Sequence, residues 1–142
     1  MTTSKDNVLL GLLSLNAREP VASLARKLGL SRTTVQDRLK RLEDNGTIAG
    51  YSVKLGAHAA GGIAGLITLG VEPKRQIEVA KLVGRYPEVE TLFTISGKYD
   101  MVANVRTKTS EDMDDLIDKI GMLPGVTEIE TAVILSTKVD RR

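Results

Sequence analysis

The densest chemistry in the chain lies between Ser31 and Arg41, SRTTVQDRLKR. Hydroxyl, amide and carboxylate groups alternate there with four cations, around Val35, Leu39 and Leu42 at spacings of four and three. That apolar spacing marks one buried face of a helix. At about 100° per residue, Thr33, Asp37, Lys40 and Arg41 fall opposite that face; Thr34 and Gln36 flank them, and Arg32 and Arg38 lie nearer its edges. Nothing in this set makes or breaks bonds. Its chemistry is recognition of a polyanion, and at about 1.5 Å per residue a helix over 32–44 is a rod of about 20 Å, the right size for a DNA major groove. Thr33, Thr34 and Gln36 are then placed to meet base edges, while Arg38, Lys40 and Arg41 hold phosphates. Ser31 and the helix's positive N-terminal end could help with a phosphate. Asp37 could accept from a cytosine amino group or pair with Arg41 one turn later.

Other clusters of reactive residues carry less. SEDMDD (110–115) lacks the oxygen-ligand spacing and turn glycine of a calcium loop, and acidic residues favour a helix N-terminus anyway, so no metal is expected. The one histidine, His58, stands in a Gly/Ala stretch and makes a poor catalytic base. There is no cysteine and no Walker-type phosphate loop. An enzyme is therefore not expected, and no cofactor is implied.

The elements that must carry the cationic helix follow from periodicity and punctuation. A first helix is predicted from a cap at Asn7 to about Asn16, with Leu9, Leu12 and Leu13 inward. Pro20 suits a helix start, and Leu24, Ala25 and Leu28 form the face of a second helix stopped by Gly29. Ser31 caps the third, and Gly46 follows its end. Ala25 permits a close helix crossing and Gly29 a tight turn, the sequence form of a helix-turn-helix. TIAGYSVKL (47–55) then alternates as a strand, and GAHAAGG (56–62) reads as a linker.

Beyond it the order is strand (63–71), helix (about 74–86), strand (89–95), turn, strand (100–107), helix capped by Ser110, strand (126–137). That β-α-β-β-α-β order predicts a ferredoxin-like unit. The fold class expected is thus α+β: a winged helix-turn-helix domain over 1–55, a linker over 56–62 and a ferredoxin-like domain over 63–142.

Charge divides along the same line. Residues 1–57 carry nine Lys/Arg against five Asp/Glu, and residues 58–142 eleven against thirteen. The basic front half is the one expected to meet a polyanion. No apolar run approaches the roughly 18 residues of a membrane span, VLLGLLSL lacks the flanks of a secretory signal, and cysteine is absent, which together point to the cytoplasm.

ASLARKLGLSRTTVQDRLKRLEDNGTIAGY resembles the winged DNA-binding domain of the Lrp/AsnC feast/famine regulators, and SGKYDMV and LPGVTEIETAVIL resemble two signatures of that family's C-terminal ligand-sensing domain. All three occur in the family's order, so the resemblance spans nearly the whole chain. The acidic opening of many members is reduced here to SKDNVLL, a change expected to leave the DNA-reading helices untouched.

The resemblance implies a regulator that binds palindromic double-stranded DNA as a homodimer, with dimers assembling into tetramers or octamers and an amino acid bound between dimers. It places that effector at Thr94, Gly97, Tyr99 and Asp100, with Thr131, Ala132, Val133 and Ile134 on the strand that family members use at the same interface. Gly97 would let backbone N–H groups approach a carboxylate, and Asp100 would meet an α-ammonium group. These residues also have plainer uses: a tight hairpin needs Gly97, Tyr99 suits a core, and AVIL suits dimer packing. Two alternatives share the architecture. An effector-independent DNA-architectural protein has the same motifs. The siroheme decarboxylases resemble the family in both domains but rely on C-terminal histidines, and this chain has none after His58.

Overall fold

The computed structural model describes residues 2–142, which form two compact units, one up to Lys54 and one from Leu55 onward. In the first, α1 (Ser4–Leu15), α2 (Val21–Leu28) and α3 (Arg32–Asp44) bury Leu9, Leu24, Ala25, Leu28, Val35 and Leu42 against one another. Gly29 ends α2 with φ of 65°, a left-handed conformation that suits glycine, and turns the chain into α3 within three residues. The Ser31 hydroxyl accepts from Thr34 N at 3.1 Å, as its capping role requires.

The first helix begins earlier than its periodicity suggests. Its cap is Thr3, not Asn7: Thr3 Oγ1 accepts from Asp6 N at 3.2 Å and Thr3 N donates to Asp6 Oδ2 at 2.8 Å, a reciprocal capping box. Asn7 lies inside the first full turn, where its N–H already meets the Thr3 carbonyl. The expected strand over 47–55 also differs. These residues join no ladder, and Tyr51, Val53 and Leu55 are exposed. Alternation favours an extended backbone, but a strand exists only where a neighbouring strand completes its hydrogen bonds. Among the described residues, none pairs with this segment. In the expected linker, α4 (Ala57–Ala60) forms a single turn before Gly61 and Gly62, both with positive φ.

The second unit follows the expected order: β1 (Ile63–Val71), a 3₁₀ turn (Pro73–Arg75), α5 (Gln76–Val83), β2 (Val89–Thr94), β3 (Met101–Thr107), α6 (Ser110–Gly121) and β4 (Val126–Val133). The strands form one antiparallel sheet in the order β2-β3-β1-β4, the ferredoxin-like arrangement. Thr109, one residue before the expected Ser110, caps α6 by accepting from Asp112 N at 3.1 Å. Regular β4 pairing stops at Val133 rather than Thr137, although Ile134 N still donates to the Ala64 carbonyl.

Alternation sets the two faces of the sheet. Ile67, Leu69, Met101, Ala103 and Val105 are buried against α5 and α6 through Val79, Val83, Met113, Leu116 and Ile120. The opposite face presents Leu66, Phe93, Val102, Ala132 and Ile134, and among the described residues no element of the second unit covers it.

Candidate nucleic-acid interface and effector region

Helix α3 presents Arg32, Thr33, Gln36, Asp37 and Lys40 to solvent along one side. Arg32 has no ion-pair partner among the described residues, and Lys40 bonds only its neighbour Asp44, at 2.6 Å. That pairing raises the lysine's pKa through the hydrogen bond to Asp44, but it is an exposed i,i+4 contact that water or phosphate can replace at little cost. Thr34 is half-buried, and its hydroxyl shares a 2.7 Å hydrogen bond with that of Ser31, so both belong to the cap as much as to any base contact. A shallow hollow lined by Asp37, Lys40, Arg41, Asp44 and Asn45 lies beside the C-terminal half of the helix.

Arg38 and Arg41 are engaged elsewhere. Arg38 Nη1 donates to Asp6 Oδ1 at 2.9 Å, and Arg41 Nη2 donates to both Asp6 oxygens at 2.8 Å. Arg41 therefore does not take Asp37, the partner one turn away that the sequence offers. Asp6 is fully buried, and its bonds to Thr3 N and the two guanidinium groups hold its carboxyl far below the usual carboxylate range. The SKDNVLL opening thus does touch α3, the helix expected to read DNA, through a residue that no helical period singles out. Its one sequence trace is the Thr3-x-x-Asp6 spacing of a capping box.

In the second unit, Asp100 closes the turn after β2 by three bonds. Its Oδ2 accepts from Val71 N at 2.8 Å, its N donates to the Leu69 carbonyl at 2.8 Å, and its carbonyl accepts from Ile95 N. One carboxylate oxygen is thereby committed to the fold. Gly97 has φ of 119°, a value that a side chain would strain. Tyr99 is half-buried, not core: its hydroxyl donates to Glu130, which raises its pKa, and the Lys98 ammonium sits 4.9 Å from its ring centre. Thr94 on β2 and Thr131–Ile134 on and after β4 are all exposed.

One chain does not assemble these residues into an enclosed site. β2 and β4 are the opposite edges of the sheet, so Thr94 and Thr131–Ile134 are separated by two strands, about 14 Å at the usual spacing. The turn at 95–100 also lies by the Leu69 end of β1, whereas Val133 pairs with Gly65 further along it. A cavity of about 690 Å³ does open in this unit, but among Gly62, Glu88, Arg106 and Asp112, at the other end of β1 and β3.

Comparison with known proteins follows the same division. Residues 3–43 match the AsnC-type helix-turn-helix domain and residues 65–142 the Lrp/AsnC ligand binding domain. The HTH-type transcriptional regulator LrpA of Pyrococcus horikoshii is 36% identical over 139 residues, covering 95% of this chain and 97% of its own. The regulator FL11 of the same organism is 29% identical over 93% of this chain and 88% of its own. Among solved structures, the leucine response regulatory protein of Mycobacterium tuberculosis superposes with a TM-score of 0.85 at 26% identity, covering 99% of this chain and 97% of the other. A feast or famine regulatory protein of M. tuberculosis, complexed with L-methionine, reaches 0.88 at 26% identity, covering 97% and 95%. With a helix-turn-helix unit joined to a ferredoxin-like unit, and both matched along their lengths, the chain belongs to the Lrp/AsnC family of transcriptional regulators.

Proposed function

We propose that this regulator reads double-stranded DNA with the exposed side of α3 and that a small amino acid, bound where copies of the second unit meet, modulates the binding. The observation that carries the DNA reading is the row Arg32, Thr33, Gln36, Asp37 and Lys40 on a helix capped by Ser31 and packed through Val35 and Leu42. A rigid rod with free polar groups on one side can be inserted into a groove without refolding. Thr33 and Gln36 meet base edges, Arg32 and Lys40 meet phosphates, and Ser31 and Thr34 hold the end of the rod.

The uncovered sheet face supports a homodimer. Leu66, Phe93 and Ile134 are 36%, 52% and 38% exposed on a face that a second copy would cover by two-fold symmetry. Such a dimer presents two copies of α3 to a palindromic site. Further assembly into tetramers or octamers brings the turn at 95–100 of one chain toward the 131–134 segment of another; the placement of Thr94 and Thr131 on opposite edges of the sheet supports a site shared between chains. There, Gly97 leaves backbone N–H groups approachable by a ligand carboxylate. Asp100 keeps one oxygen for an ammonium group, and Thr94, Tyr99, Thr131 and Val133 form walls, while Ala132 and Ile134 on the alternate side of the strand belong to the dimer face. The L-methionine complex of the M. tuberculosis relative supports an amino acid as the ligand class. This role calls for no catalytic residue and fits a cytoplasmic protein.

The test is a gel shift on the DNA upstream of the protein's own gene, at two salt concentrations, with and without each of the twenty amino acids. A salt-dependent shift altered by one or a few amino acids is expected. A shift indifferent to all twenty would remove the effector part and leave a DNA-architectural role; no shift on that DNA or on random fragments would remove the DNA reading.

A further inference from the structure

Four cations occupy α3: Arg32, Arg38, Lys40 and Arg41. We infer that Asp6 of α1 decides which of them DNA can use, by withholding Arg38 and Arg41 and leaving Arg32 and Lys40. The inference rests on the reading that α3 is the DNA-facing helix.

The Asp6 carboxylate is saturated. Oδ1 accepts from Arg38 Nη1 and Arg41 Nη2, and Oδ2 accepts from Arg41 Nη2 and Thr3 N, all within 2.8–2.9 Å. Arg38 Nη1 also donates to Thr3 Oγ1 at 3.1 Å, so both guanidinium groups join the α1 capping box to the middle of α3. Arg38 is drawn in so far that its Nε is buried without a partner, and its side chain is only 24% exposed. Turning Arg38, or the Nη2 of Arg41, toward a phosphate would strip bonds from a carboxylate with no exposure to water, the costly half of breaking a buried ion pair; Arg41, 45% exposed, is held in place by that one nitrogen. Lys40 faces no such penalty, because its partner Asp44 is itself well exposed. Asp6 therefore acts as a positioning and charge-masking residue. It keeps two strong phosphate ligands off the DNA, so that less of the binding energy is indifferent to sequence.

Counterion release provides the readout. Each phosphate neutralised contributes about 0.9 to the slope of log K against log salt, so one phosphate more or fewer changes the drop in affinity between 50 and 200 mM salt by about 3.5-fold. The slope is measured on random-sequence duplex DNA and on the operator for Asp6→Asn, Arg41→Met, Lys40→Ala and Arg32→Ala, each checked for folding by circular dichroism. An asparagine in place of Asp6 cannot hold two guanidinium groups as a carboxylate does. The expected result is a slope for Asp6→Asn that is steeper by about 0.9 to 1.8, with tighter binding to random DNA and a smaller preference for the operator. A purely structural role for Asp6 would weaken binding to every sequence without steepening the slope, and that result overturns the inference.

Arg41→Met keeps the test decisive where Asp6→Asn fails to fold, because Asp6 retains Arg38 and Thr3. Its slope should match the parent's while Lys40→Ala flattens by about 0.9. A flattening of that size in Arg41→Met would place Arg41 on a phosphate and overturn the inference. If instead Lys40→Ala and Arg32→Ala both leave the slope unchanged while binding persists, α3 is not the reading helix and the inference falls with that premise.

Discussion

Replacing Phe93 by alanine would test the symmetric use of the sheet face. Phe93 lies on β2 opposite Val102, on the side away from α5 and α6, and 52% of it remains exposed. Full burial of a phenylalanine side chain is worth about 1.5–3 kcal/mol, so covering the exposed half contributes about 0.8–1.5 kcal/mol per copy. A two-fold interface counts every residue twice, which brings the loss to about 1.5–3 kcal/mol per dimer. At about 1.4 kcal/mol per tenfold, the dimer Kd should rise between about 10-fold and 150-fold. Sedimentation velocity over a dilution series measures that Kd directly. The folded monomer should change less than the dimer, because Phe93 lies outside the buried cluster of its own unit; circular dichroism melts at low concentration check this. A Kd within about threefold of the parent's, with the fold intact, would refute the assignment of this face to the dimer.

Two further predictions concern stability. Gly62 has φ of +70°, and a Cβ there would fall inside van der Waals contact with the Thr107 carbonyl oxygen, so Gly62→Ala should cost at least about 2 kcal/mol and lower the melting temperature. Gly56→Ala, with φ of −64° and open space around it, should leave the melting temperature nearly unchanged; equal effects at the two sites would refute the argument. The depressed pKa of Asp6 gives the acid response its sign: the folded chain keeps this carboxylate ionised where the unfolded chain has begun to protonate it. Its contribution is complete above the unfolded value of about 4 and is lost as pH falls below that. Melting temperatures between about pH 5 and pH 2.5 should therefore fall more steeply for the parent than for Asp6→Asn, and parallel curves would contradict the assignment.

How much of this was legible beforehand depended on the range of the physics involved. Val35, Leu39 and Leu42, or Met113, Leu116 and Ile120, announce a helix because burial of one face imposes the 3.6-residue period locally. The helix caps were placed less well. Thr3, Ser4 and Asn7, or Thr109 and Ser110, are all capable caps, and the choice among them is made by which N–H is left free once the helix has docked. The strand expected at 47–55 failed for a similar reason. Alternation is a property of the segment, whereas pairing is a property of its neighbour.

Element order, the two-unit division, the helix that carries the polar and cationic groups, and the family were all readable from the chain alone. Each follows from patterns a few residues long, repeated in a recognisable succession. Which cations remain free is settled at longer range. Asp6 meets Arg38 and Arg41 across 32 and 35 residues, and no local period relates them. Strand order likewise put Thr94 and Thr131–Ile134 on opposite edges, although the linear motifs group them as one site. Charges and ligand groups act through space, and their distances exist only once the chain has folded.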